Sequence, residues 1–508
     1  GPEGSTRPAS SLQSLSTACF AQRTLFSKLL DVVPRRVLIM AYYMPPAGGP
    51  AVQRILQFVE YLSAYGWQPE VLTVREGAYP NRDTSLEDAI PDDVPVHRTH
   101  AFDPLAVYRR LRGGEGLPAG ALHDEPTLVE RAARWIRANI FIPDARVGWW
   151  PFAHTQGLDL LKSGRFDAIL SSGAPHSVHL AGRSLAQATG IPWIADLHDP
   201  WTDISYYDDF PHTWWARSLD RRLERSVLED ATMTTTVSPS WAELFRSKVD
   251  GRYGVVENGF DTEELEAARS ARPSMASVSL DLEAPERTPD AEQDADSWDG
   301  EPLSSDAVAP GGSGERGEAS VFTISHIGKV YASRNPTAFW DALAALRDED
   351  AIPRLRVRLI GTVDPSVLAA VDERGLTPFV ERIPFVPHVQ ALQAMAGSSL
   401  LLLVIEPFQQ ARGMITSKLY EYLASGRPVL GVGPTDGDAA ALLARHDAGR
   451  MVDWSDARSA KREVKAHYTE WMDGRVRGGA DWGDVQIHSR QVQAERMAGY
   501  LEEAVEQS

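Results

Sequence analysis

Thr416-Ser417-Lys418-Leu419-Tyr420-Glu421-Tyr422-Leu423-Ala424-Ser425-Gly426-Arg427-Pro428-Val429-Leu430 reads as a polar loop, a short helix, a glycine stop and a new strand. Lys418 and Glu421 lie three apart, so they share one helix face near its N-terminus. A helix N-terminus presents free backbone N–H groups and the positive end of the dipole, which suits a phosphate. A carboxylate one turn further in can accept hydrogen bonds from ribose hydroxyls. The combination suggests a sugar nucleotide.

Working outward, the same alternation fills the second half of the chain. Strands are expected at Val321–Ile327, Leu355–Ile360, Val380–Ile383, Leu400–Ile405 and Val429–Val432, with helices at Thr337–Leu346, Pro365–Arg374 and Val389–Ala394 between them. The first half opens with the apolar run Val37-Leu38-Ile39-Met40, a Pro/Gly loop, a helical period through Val52, Ile55, Leu56, Val59 and Leu62, and a strand at Pro69–Val74. Further strands are expected at Phe166–Leu170, Pro192–Asp196, Ala231–Val237 and Tyr253–Glu257. This is an α/β chain of two Rossmann-like, doubly wound domains with a cleft between them.

Between the halves, residues 271–320 hold twelve Asp/Glu and three Arg and few large apolar residues. The composition reads as a disordered acidic linker that lets the domains hinge. The expected division is an N-terminal extension over 1–33, a first domain over 34–265, the linker over 266–319, a second domain over 320–482, and a C-terminal helix over 483–508 packing back on the first domain. The opening Gly1-Pro2 is read as a cloning remnant.

At 508 residues, 43% hydrophobic and 24% charged, the chain is that of a globular protein of two or more domains. A net charge of −19 argues against non-specific nucleic-acid binding. Lysine is scarce, seven against 44 Arg. The single Cys19 excludes an intramolecular disulfide framework or a cysteine-cluster metal site, and a cytoplasmic location is expected. No run approaches the roughly 18 apolar residues of a membrane span.

Candidate site residues fall at strand ends. Gly48 and Gly49, after the first strand, let the backbone approach a ligand. They form neither the G-x-G-x-x-G fingerprint nor a P-loop. Asp196, His198 and Asp199 end another strand, with acid/base work, sugar-hydroxyl binding or a capping turn as their readings. His176 and His179 lie three apart after a strand; a substrate contact or helix start fits them better than a metal pair. Gly328, Lys329 and Arg334 follow the first strand of the second domain, where two cations beside a glycine could clamp a diphosphate.

Together the Pro45–Pro50 loop, Asp196–Trp201, the turn Asn258–Asp261 and Lys418–Val429 resemble the GT-B glycosyltransferases, family 4 type. The resemblance implies a donor sugar nucleotide held by the second domain, an acceptor held by the first, anomeric retention, and no metal or other cofactor. It implies ribose binding by Glu421. It also implies diphosphate binding by the helix start at Ser417, Lys418 and Leu419 and by Lys329 and Arg334, with Gly48, Gly49 and Gly328 lining the donor. Lys329, Arg334, Lys418 and His176 become the expected catalytic groups, and Asp196, His198 and Asp199 the acceptor contacts. The chain departs from the family's E-x7-E pattern, which needs Glu at 413: Gly413 stands there, and Glu406 lies upstream.

The implied function is retaining transfer of a sugar from an NDP-sugar to a glycan or lipid-linked acceptor in cell-surface polysaccharide or glycolipid synthesis. A sugar-nucleotide epimerase and a non-catalytic polysaccharide-assembly partner are the alternatives. Residues 126–143 place Trp135, Ile136, Ile140 and Phe141 among Arg131, Arg134 and Arg137. Such a helix packs on the first domain or lies on the inner face of a membrane as a peripheral contact.

Overall fold

The computed structural model describes residues 33–77, 79, 82–102, 128–270, 321–384 and 386–507. The first sheet is parallel throughout, in the order β3-β2-β1-β4-β5-β6-β7. Its strands are β1 (Arg35–Met40), β2 (Trp67–Val74), β3 (Val96–Thr99), β4 (Ala168–Gly173), β5 (Trp193–Leu197), β6 (Met233–Thr236) and β7 (Tyr253–Val255). The second sheet, also parallel, runs β10-β9-β8-β11-β12-β13. It comprises β8 (Phe322–Ile327), β9 (Leu355–Ile360), β10 (Val380–Ile383), β11 (Leu400–Val404), β12 (Val429–Val432) and β13 (Gly449–Val452).

Central strands such as Leu38-Ile39-Met40 and Leu400–Val404 are buried on both faces, as a parallel sheet covered by helices requires. Strand order reverses between β1 and β4 in one sheet and between β8 and β11 in the other. Open α/β sheets bind ligands outside the carboxyl ends of their strands at such points.

A buried ion pair fixes the first domain. Arg54, on the helix Pro50–Tyr61, donates from Nε and Nη2 to the two carboxylate oxygens of Asp196 at 2.9 and 2.7 Å. Ser172 Oγ and Thr235 Oγ1 donate to the same carboxylate at 2.5 and 2.8 Å. Arg54 Nη1 reaches on to the carbonyl of Glu257 at 3.0 Å and Asn258 Oδ1 at 3.3 Å. One helix, three strands and the segment leaving the domain thus meet at one pair of side chains.

The chain crosses between domains twice, and the crossings lie side by side. Phe260 N–H donates to the His488 carbonyl at 3.2 Å, and Arg490 N–H to the Phe260 carbonyl at 2.9 Å. Gly259, at φ 68°, brings its backbone so close that a Cβ there would lie 2.8 Å from the His488 oxygen. After the return, Ser489 caps the helix Arg490–Glu506, accepting from Val492 N–H at 3.4 Å. Met497, Ala498, Leu501 and Ala504 of this helix enter the first domain's core beside Val52, Ile55 and Val59. The C-terminal helix expected over 483–508 is therefore interrupted before the cap, and its first residues belong to a separate short helix, Trp482–Val485.

The acidic segment does not join the two domains. Its expected start at 266 falls inside the helix Thr262–Ser270, whose Leu265 and Ala268 are buried in the second domain's core with Leu419 and Leu423. Arg269 donates to the Ala424 carbonyl at 2.6 Å. The chain has already entered the second domain before residue 271 and is still there at β8. The two domains are joined instead by the crossings at 257–261 and 486–490. Residues 271–320, like the extension containing Cys19, lie outside the described residues.

Removing one partner of a buried, fully bonded pair leaves an uncompensated charge, which costs about 3–5 kcal/mol. Arg54→Met is expected to lower the stability of the first domain by that amount in urea unfolding. A loss below about 1 kcal/mol would show that the pair does not organise the domain.

Candidate active site

At the second sheet's switch point the chain turns sharply after β8. Gly328 adopts φ 118°, and a Cβ built on it would lie 2.5 Å from Lys418 Nζ. The missing side chain is what lets the ammonium rest against the backbone. Burial, and then the Arg334 charge, push the Lys418 amine down to about 8. Arg334 Nε lies 3.1 Å from Glu406 Oε2, just beyond the end of β11. Beneath them His326 Nδ1 donates to the Leu402 carbonyl at 3.0 Å. Burial and the Lys418 charge push this imidazole down to about 3, so it is neutral.

Lys418 belongs to the helix Ser417–Ser425, nine residues ending at Gly426 with φ 68°. Its first turn has no side-chain cap, and Thr416 Oγ1 is buried with no hydrogen-bond partner among the described residues. The N–H groups at the helix start are therefore open to an anion. Glu421, one turn in, is within 3.6 Å of His388 Nε2, and Glu264 is 3.2 Å from the same nitrogen. Burial raises the Glu421 carboxyl, and the bond to Glu264 raises the His388 imidazole. Leu419 departs from its expected contact role. Its side chain is fully buried in the core, and its N–H is taken by the Thr416 carbonyl at 3.0 Å.

Gly413 has a physical reason. A Cβ at 413 would lie 2.2 Å from Cδ1 of Trp241, a buried indole reaching across from the first domain. Trp241 Nε1 donates to the Gln410 carbonyl at 3.2 Å, which fixes the ring there. The space a glutamate would need is filled by an interdomain contact. Beside it, Ser240 N–H and Oγ each donate to Asp438 at 2.9 Å. Glu406, in contrast, is brought to Arg334 at the switch point.

The first domain contributes less than its motif suggested. Asp196 is fully buried and accepts four hydrogen bonds from Arg54, Ser172 and Thr235, so its expected acceptor role is corrected to a structural one. His198 Nε2 lies 2.9 Å from Ser172 Oγ and 3.2 Å from Asp196, with its ring largely buried. Asp199 is half-buried; burial raises its carboxyl, and His198 and then Arg334 of the facing domain pull it back. It is thus the member of this motif that feels a charge of the second domain.

His176 stacks on Trp201 with ring centres 4.7 Å apart and 8° between planes. Burial and the neighbouring His179 hold its imidazole far below the usual range, in the neutral form. His179 is bonded to Ser171 Oγ at 2.9 Å and is a core residue. Gly48 lies against Asp83, while Gly49, at φ 113°, begins the helix Pro50–Tyr61 with open space where a Cβ would stand. Lys329 is exposed.

Three participants take places that the sequence did not show, although Glu406 stands upstream of the position expected for a glutamate. Glu406 and His388 are charged residues at a strand end and a helix start, far in sequence from Arg334 and Glu421; only the sheet brings them in. Trp241 reads as an ordinary apolar helix residue.

Comparison with known proteins agrees with this architecture. Residues 48–259 match the family model described as a glycosyl transferase 4-like domain. No curated protein matches the chain. Among solved structures, sucrose-phosphate synthase from Thermosynechococcus elongatus is similar at 15% identity and TM-score 0.57, over 93% of this chain and 100% of that one. HepE of Anabaena, in complex with UDP and glucose, is similar at 14% identity and TM-score 0.54, over 92% and 99%. A glycosyltransferase from Rickettsia africae is similar at 10% identity and TM-score 0.54, over 94% and 100%.

The Gly413 contact yields a test. Gly413→Glu forces overpacking against Trp241, at a cost of roughly 1–3 kcal/mol. In a double-mutant cycle with Trp241→Ala, urea unfolding should show a coupling of about 0.5–3 kcal/mol; strict additivity would mean the two do not meet. Residues 48–259 thus match a glycosyl transferase 4-like domain, and the chain as a whole, with its two Rossmann-like sheets, shares the fold of the solved glycosyltransferases it is similar to.

Proposed function

We propose that the protein moves a sugar, with retention, from an NDP-sugar held by the second domain to a glycan or lipid-linked acceptor held at the first. The observation that carries this reading is the convergence of Lys418, Arg334 and an uncapped helix start around Gly328. Lys418 is buried, and burial first and then the Arg334 charge lower its proton affinity, so a bound anion would stabilise its charged form. A diphosphate supplies that charge. As the bond to the sugar breaks, charge grows on the leaving phosphate, and these groups stabilise it most at that moment. With side chains and a helix dipole in that role, the donor needs no metal.

Glu421, raised by burial, is placed to accept from ribose hydroxyls, with His388 holding it from the other side. Exposed Lys329 stands at the mouth of the same loop. Glu406 holds Arg334 and lies where the transferred sugar would sit beside the diphosphate. Asp199 faces this point from the first domain and is the acceptor-side carboxylate we favour, with His198 behind it. The HepE fold, which holds UDP and glucose, supports a uridine diphosphate donor.

Binding of UDP, GDP and ADP, and of their sugars, tests the reading by calorimetry. At least one nucleotide should bind. Its affinity should fall as pH rises through about 8, where Lys418 loses its proton. The sign follows from linkage: the anion binds the protonated amine more tightly, so binding at higher pH requires proton uptake. Lys418→Met should lower affinity at neutral pH by about 10- to 100-fold, the worth of a charged hydrogen bond, and abolish that pH dependence. A panel with no binding, or full affinity in Lys418→Met, would sink the proposal.

A further inference from the structure

Two helices of the first domain leave a set of apolar side chains in solvent at one place. The helix Leu128–Asn139 ends in Asn139, whose side chain donates to the Pro211 carbonyl at 2.9 Å and accepts from Thr213 N–H and Oγ1 at 2.7 Å. Thr213 is the cap of the next helix, Trp214–Asp230. Asn139 thus sets the end of one helix against the start of the other. On the first, Trp135, Ile136 and the following Ile140 are exposed by 43%, 42% and 60%; on the second, Trp214 and Trp215 are exposed by 82% and 40%.

The charge around these rings is sorted. On the helix Trp214–Asp230, Asp220 is buried and accepts from Trp201 Nε1 at 2.7 Å and from Tyr207 hydroxyl at 2.9 Å. Glu224 is buried and accepts from Lys248 at 2.6 Å and Thr202 at 2.7 Å. Arg221 and Arg222 of the same helix stay exposed and carry no ion pair among the described residues. Arg131 and Arg134 of the first helix carry none either; Arg217 is paired with Asp208 at 2.6 Å. On this helix Asp220 and Glu224 are turned inward and Arg221 and Arg222 are left out, while Asp208 and Asp209 of the preceding segment stay exposed, Asp208 paired with Arg217, in a chain whose net charge is −19.

We infer that this surface docks the first domain on a lipid bilayer carrying anionic headgroups. Indoles favour the depth of the headgroups, with one edge apolar and one N–H for hydrogen bonding, and arginines beside them attract anionic lipid. Attraction acts within a Debye length of about 8 Å, so this local fringe counts for more than acidic stretches farther off. A second copy of the chain fits worse, because a two-fold contact would set each arginine fringe against its own image. No helix among the described residues is long and apolar enough to cross a membrane, so the contact lies in the interface.

The chain also links this surface to the motif at the end of β5. The segment that leads from β5 to Trp214 begins with His198 and Asp199 and passes through Tyr206, whose phenol lies within electrostatic reach of both Asp199 and Arg137. Docking would place the headgroup plane beside the acceptor side of the site. This selects the lipid-linked class of acceptor, a step that rests on the proposed function; the docking itself does not.

The test is flotation of the full chain with phosphatidylcholine vesicles, with and without phosphatidylglycerol, and nucleotide binding measured on the same preparations. Wild-type protein should float with the anionic vesicles and lose that association in high salt. Trp135→Gln with Trp214→Gln, and separately Arg221→Glu with Arg222→Glu, should each reduce the floated fraction by about tenfold or more. Both should keep wild-type nucleotide affinity and thermal midpoint. The inference is overturned if wild-type protein stays unfloated with anionic vesicles, or if both variants float as wild type does. Sedimentation showing a dimer that the tryptophan changes dissolve, without vesicle binding, would overturn it in favour of self-association. Flotation without nucleotide binding would leave docking standing and remove the transferase reading; nucleotide binding without flotation would do the reverse.

Discussion

The Arg54–Asp196 pair constrains everything around the cleft. Both side chains are removed from water, and desolvating two ions is repaid only when nearly every donor and acceptor finds a partner. Here Asp196 takes four hydrogen bonds and Arg54 gives to the carbonyl of Glu257 as well. The pair therefore works as a registration device. It holds the helix after β1 against β5 and sets the angle at which the chain leaves the first domain. That exit and the return at 486–490 are the two strands of the hinge.

The two switch points show opposite electrostatic balances. In the first domain the charges at strand ends satisfy one another, and what remains for a ligand is the fringe, chiefly Asp199. In the second, Lys418 and Arg334 share a partly buried space with Glu406 bonded to one of them. Burial and a neighbouring like charge both disfavour the protonated form of the amine. A protein tolerates such repulsion at a site where a ligand relieves it. Lys418 meets it by giving up part of its proton affinity, His326 by staying neutral. The domain that could not neutralise its own charges is the one suited to hold a diphosphate.

Legibility in the sequence follows burial. Central strands are continuous apolar runs, and Leu355–Ile360, Val380–Ile383 and Val429–Val432 fall where the pattern puts them. The edge strands Val96–Thr99 and Gly449–Val452 escape it, because each pairs on one side only and carries His, Arg or Gly in four residues. The Lys418–Glu421 helix was legible because its chemistry and geometry are local. The Asp196 motif misled for the opposite reason. A carboxylate at a strand end looks the same in sequence whether it faces a ligand or an arginine 142 residues away. Gly413 is a third kind of case, an absence explained only by Trp241 arriving from the other domain.

The position of the acidic segment follows from the same packing. Leu265 and Ala268 bury into the second domain's core, and Arg269 bonds to the carbonyl of Ala424, at the end of the helix Ser417–Ser425. The chain that leaves at 271 and re-enters at β8 begins and ends on one body. Motion between the domains must instead pass through Gly259 and the paired crossings. There His488 Nδ1 meets Glu257 at 2.5 Å and its Nε2 meets His446 at 2.9 Å. Closure of the cleft therefore has to bend a hydrogen-bonded, two-strand crossing rather than a free tether, which favours a rotation about one axis.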